Sequence, residues 1–167
     1  TLRQNQQQRS LTLFSRALAL WKSVNDTEHQ IETLFHIGDI YRYAVMTDGA
    51  QTTGQQGLQY YTQAKALASS TFKKQQIFHG RYYGVSSYIY YWTGDYDMAE
   101  TYSRECLQYG QGLENTWDYQ TASQQLGRIL IQRKKFDQAL HLLQETSESP
   151  VLQTPYDRVK SLWTLSD

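Results

Sequence analysis

The stretch Gly94-Asp95-Tyr96-Asp97-Met98-Ala99-Glu100-Thr101-Tyr102-Ser103-Arg104-Glu105-Cys106 sets the reading of the whole chain. Within it, Ala99, Ser103 and Cys106 stand at helical spacing, and Ser123 follows 17 residues after Cys106. Forty residues on, the same frame reads Ala139, Leu143, Thr146 and Trp163. Carried back toward the N-terminus, it reads Ser10, Phe14, Ala17 and Leu34. A fixed period of this size is the signature of a solenoid built from stacked helical hairpins. Such folds present a long concave surface, so the expected work is binding rather than catalysis.

Outward from that stretch, apolar residues recur at helical intervals. Leu11, Phe14, Leu18 and Trp21 make one face of a helix over residues 4–24. Asp26 or Thr27 starts the next, with Gln30 as a capping-box partner. Its stripe of Ile31, Leu34, Ile37, Ile40 and Tyr41 carries it to about residue 44. The spacing predicts further helices over 57–69, 73–93, 96–109, 116–133 and 136–146, and the start of an eighth from residue 156. Gly94-Asp95 and the pair Gly110 and Gly112 act as breaks. Residues 47–56, TDGAQTTGQQ, read as an enlarged, mobile and dispensable loop. No segment alternates with a β period, so the fold class is all-α.

Composition bounds the function. The chain has 167 residues, 16 basic against 16 acidic, with no formal net charge. This argues against a general nucleic-acid or anionic-membrane binder. No apolar run is long enough to span a bilayer. Cys106 is the single cysteine, so no internal disulfide forms, which fits a cytoplasmic protein. His29, His36, His79 and His141 have no metal-ligand spacing, and no phosphate-cradling or zinc-protease motif is present. Neither a catalytic residue, nor a metal, nor a cofactor is expected.

The pattern Leu34, Ile37, Gly38, Tyr41 (bulky, apolar, small, aromatic) resembles the first-helix signature of the tetratricopeptide repeat in its long, 40-residue form. Gly57, Tyr61 and Ala64 resemble its second-helix signature. Ser123, Leu126, Gly127 and Leu130, followed by Phe136, Ala139 and Leu143, repeat the frame. The resemblance covers the chain as one array, residues 1–167: about three hairpins, a preceding helix and a partial following one. It implies a right-handed superhelix and a piece of a longer protein. Ser86-Ser87 departs from the pattern where the family has an apolar residue and then Gly or Ala, implying a less tightly packed hairpin.

The resemblance also implies which first-helix positions face the groove. In the first hairpin these are Glu32, Phe35, Asp39, Arg42 and Tyr43. In the second they are Arg81, Gly84, Tyr88, Tyr91 and Trp92. In the third they are Thr121, Gln124, Arg128, Ile131 and Gln132. Aromatic platforms at Phe35, Tyr43, Tyr88, Tyr91 and Trp92, with Arg42, Arg81 and Arg128 beside them, suit a peptide with apolar and acidic side chains. The Lys and Asn of the family's chaperone-binding clamp are replaced by Phe35 and Asp39, so a chaperone's terminal carboxylate is not the expected ligand. The family's long form also occurs in motor light chains and in bacterial ATPase sensors and peptide-responsive regulators, which places the chain in a signalling or regulatory protein. The competing reading is a structural spacer that self-associates through open ends.

Overall fold

The structure is a computed structural model that describes residues 2–68, 73–112 and 116–149. All described secondary structure is α-helical. The expected eighth helix and Trp163 lie outside the described residues. The chain divides into two compact units, Thr1–Ser69 and Ser70–Asp167.

The first unit holds α1 (Leu2–Ser23), α2 (Thr27–Asp48) and α3 (Gln51–Leu67). Helix α2 packs against both of the others. It starts where the sequence predicts, with the Asp26 carboxylate accepting the His29 N–H at 3.1 Å. Its buried face carries Ile31, Leu34, Phe35, Ile37 and Val45, and meets Tyr61 and Ala64 of α3. Phe14 of α1 stacks on His36 at 5.3 Å.

The segment 47–56 is not the loop its glycines suggested. Helix α2 continues to Asp48 and stops at Gly49 (φ 62°), whose N–H donates to the Val45 carbonyl at 2.8 Å. The Asp48 carboxylate accepts from the Ala50 N–H at 2.8 Å and the Thr53 hydroxyl at 3.3 Å, and α3 begins at Gln51. Gly54 and Gly57, three apart and so on one face, are buried inside α3. The residues in excess of the period lengthen both helices. Gly49 does end a helix, while Gly54, which reads as a second breaker, is buried within one.

The second unit holds α4 (Lys73–Trp92), α5 (Tyr96–Gly112), α6 (Thr116–Gln132) and α7 (Phe136–Glu148). Helix α5 packs on α4 and α6, α6 packs on α7, and α4 also touches α6. In this unit the recurring frame is the buried frame: Ala99, Ser103, Cys106 and Ser123 are inaccessible, as are Ala139, Leu143 and Thr146, whereas Ser10, Phe14 and Ala17 of the first unit are half-buried.

The pairs α2–α3, α4–α5 and α6–α7 each have a close crossing at an equivalent position of the frame, and the three use different chemistry. A Cβ on Gly38 would overlap the Tyr61 ring, and one on Gly127 would press on Leu143 at 3.2 Å. Between them in the sequence, Ser87 and Ser103 meet hydroxyl to hydroxyl at 2.6 Å, and Ser87 also donates to the Ala99 carbonyl at 3.1 Å. Of the Ser86-Ser87 departure, Ser87 therefore sits on a hydrogen-bonded seam, while the buried Ser86 hydroxyl has no hydrogen-bond partner among the described residues.

Three reversals share one backbone device. Asn25 (φ 56°), Gly94 (φ 83°) and Lys134 (φ 60°) each take the left-handed conformation. In each, the next N–H reaches back five residues: Asp26 to Trp21, Asp95 to Tyr90 and Lys135 to Leu130, at 3.0, 2.9 and 2.8 Å. The direction of each following helix is thus set by main-chain bonds.

Candidate binding surfaces

The C-terminal end of α4 carries the most open aromatic group among the expected groove residues in this unit. The reversal at Gly94 is held by its N–H on the Tyr91 carbonyl at 3.1 Å, and the Thr93 hydroxyl donates to the Ile89 carbonyl at 2.9 Å. These bonds fix the turn that bears Trp92. The Tyr91 ring stands edge-on to Trp92 at 5.6 Å and to Tyr96 at 5.7 Å. Trp92 remains 41% exposed. The arrangement is a held, solvent-facing aromatic platform.

Of the other groove residues of this unit, Arg81, Tyr88 and Gln124 are half-buried, and Arg128 is exposed. They lie on α4 and α6, two helices in contact. Gly84 is buried, and a Cβ there would meet the Cys106 sulfur at 3.0 Å. Gly84 thus serves packing and offers no ligand contact.

In the first unit the structure corrects the expected site. Phe35 is fully buried, with its ring 5.6 Å from Tyr61, so it is core and not a platform. The reason is register: α2 buries Leu34 and Phe35 together against its neighbours. Asp39 is also engaged, accepting from the Tyr61 hydroxyl at 2.8 Å and from Arg42 Nε at 3.1 Å. Burial works against the Arg42 charge, but Tyr61 and Asp39 outweigh it and hold the guanidinium above its ordinary value. Burial, reinforced by Asp39, pushes the Tyr61 hydroxyl up, so it stays a donor. Arg42 also lies 4.4 Å above the Tyr43 ring, which is exposed. Glu32 is half-buried, so of the five residues expected here Tyr43 alone offers an open face.

Sequence reasoning passed over two groups. Tyr82, Tyr83, Tyr90, Tyr102 and Tyr109 form a network between α4 and α5 with ring centroids 5.1–5.8 Å apart. Tyr83 and Tyr90, and Tyr102 and Tyr109, are each seven apart, a stripe that the sequence does display. The second group is ionic. Glu100 receives Arg104 at 2.7 Å, Arg133 at 2.9 Å and Lys135 at 3.3 Å, while Arg133 also meets Asp97 at 2.7 Å. It ties the α6–α7 turn to α5, and no local sequence motif announces it.

Among the described residues no group of His, Cys, Asp and Glu is placed to hold a metal ion, and no helix is long and apolar enough to cross a membrane. No family model matches the sequence, and no curated protein matches it. Among solved structures, the crystal structure of BtubC (BKLC) from P. vanneervenii is similar, with a TM-score of 0.72 and 20% identity. The match covers 94% of this chain and 63% of BtubC, so the chain spans under two thirds of that protein's length. At that identity the likeness is one of all-α fold alone.

Proposed function

We propose that this chain is a peptide- or protein-binding scaffold of the tetratricopeptide type, its hairpins stacking into a right-handed superhelix, and that it serves inside a larger signalling or regulatory protein in the cytoplasm. It works without catalysis, metal or cofactor, and its partner is neither a nucleic acid nor a membrane. The observation that carries the reading is the Tyr91–Trp92 platform, with Trp92 exposed and half-buried Tyr91 held by Tyr96 and the Gly94 turn. Fixed aromatic rings lose little conformational entropy on binding and are frequent hot spots. Arg81 and Arg128 on the same pair of helices favour a partner with a carboxylate beside its apolar anchor.

Peptides selected from a random display library on the intact chain provide the test. The double substitution Tyr91→Ala and Trp92→Ala should weaken the selected peptides by about 2 kcal/mol or more, roughly 30-fold. Binding that survives the double substitution unchanged removes the assignment. The spacer reading has one observation in its favour. Leu13 and Leu20, on one stripe of α1, and Val24 just after its end are exposed. Sedimentation that shows self-association abolished by Leu20→Ser would favour it.

A further inference from the structure

Helix α6 has a second working side. Gln124 and Arg128 lie about 200° around the helix from Leu126 and Leu130. On the leucine side, a cleft of about 440 Å³ opens between α5 and α7 with α6 as its floor. Leu126 and Leu130, themselves buried, lie beneath the floor, half-buried Leu142 lines the α7 wall, and Arg104 forms the α5 edge. The size lies within the range of pockets that take a bulky ligand group.

The rim is asymmetric in charge. Arg104 is already held by Glu100, at 3.2 Å through Nε and 2.7 Å through Nη2. The α7 edge presents Asp137, His141 and Glu145, each one turn from the next. His141 Nδ1 sits 3.1 Å from Glu145, with both side chains mostly exposed. Asp137 makes no ion pair among the described residues. One wall therefore carries carboxylates without a strong base, above a floor of leucine.

We propose that this cleft docks a partner segment presenting one large apolar side chain beside a lysine or arginine. The apolar group enters over Leu126, Leu130 and Leu142, and the base lies along Asp137 and Glu145. This goes beyond the groove reading and is opposite to it in charge: the α4–α6 face favours acidic partners, and the α5–α7 cleft basic ones. One scaffold then holds two dissimilar segments on two sides of α6.

The test uses the intact chain and three capped synthetic peptides: Gly-Ser-Lys-Leu-Lys-Ser-Gly, its Lys-to-Glu version and its Leu-to-Ser version. Binding is followed by methyl and indole NMR shifts. The lysine peptide at about 1 mM should move the methyls of Leu126, Leu130 and Leu142 and leave the Trp92 indole in place. The other two should bind about tenfold or more weakly, since charge complementarity and apolar contact are each removed. The double variant Asp137→Lys and Glu145→Lys, at exposed positions, should reverse the charge preference while near-UV dichroism stays unchanged. Equal binding of the lysine and glutamate peptides, shifts centred on Trp92, or no binding by any peptide overturns the proposal. A failed cleft with a surviving effect of Tyr91→Ala and Trp92→Ala leaves the groove reading standing, and the converse holds.

Discussion

The Ser87 and Ser103 hydroxyls lie 2.6 Å apart in a fully buried crossing of α4 and α5, at the position where the other two helix pairs set a glycine against a ring or a leucine. Two polar groups replace shape complementarity with mutual satisfaction. Removing Ser87 takes the partner from the Ser103 hydroxyl, whereas removing Ser103 leaves Ser87 its bond to the Ala99 carbonyl. Ser87→Ala is expected to cost about 1–2 kcal/mol, Ser103→Ala less, and the double variant less than the sum of the singles. Urea unfolding of the four-member cycle measures it.

The glycine crossings differ in how much they yield. At Gly38 a Cβ would overlap the Tyr61 ring, whose hydroxyl is anchored on Asp39. At Gly127 it would meet the flexible end of Leu143 at 3.2 Å. Gly38→Ala is expected to destabilise by about 2–3 kcal/mol and Gly127→Ala by about 1 kcal/mol or less. Thermal unfolding of the two variants checks the ranking.

Phe35 separates folding from binding. It is buried against Tyr61, so Phe35→Ala should cost about 3–5 kcal/mol of stability. Tyr43→Ala, at an exposed ring, should cost about 0.5 kcal/mol. Equal stabilities of the two variants would contradict this assignment of α2.

Glu100 gives the second unit an acid sensitivity of known sign. Burial raises its carboxyl, but the hydrogen bonds and charges of Arg104 and Lys135 outweigh that and hold it below its ordinary 4.5. A depressed folded value means that the contribution is fully present above the unfolded pKa and is lost as pH falls through the folded one. Glu100→Gln should cost on the order of 1 kcal/mol near neutrality, and the gap to the parent should close in acid. Denaturant titrations across the acid range test it.

The helical class and the buried frame were legible because a 40-residue recurrence of small and bulky residues is itself a packing pattern. The Asp26 cap was legible for the same local reason. The 47–56 segment misleads because glycine carries two opposite meanings: Gly49 ends a helix, and Gly54 is buried inside the next. Deciding between them needs the partner helix. Phe35 was misplaced because α2 buries two adjacent positions, where a family pattern assigns one inward and one outward. The Glu100 cluster and the α5–α7 cleft join residues distant in sequence, so no spacing rule reveals them.

The Glu100 contacts to Arg133 and Lys135 span 33 and 35 residues of chain. Contacts of that reach between part-exposed charges add little until α5, α6 and the turn after it already stand in place. They belong to the native side of the folding barrier. Their loss should therefore speed unfolding far more than it slows folding. In kinetic terms, one carboxylate sets how long the α6–α7 pair stays docked on α5 and has little part in how quickly it arrives.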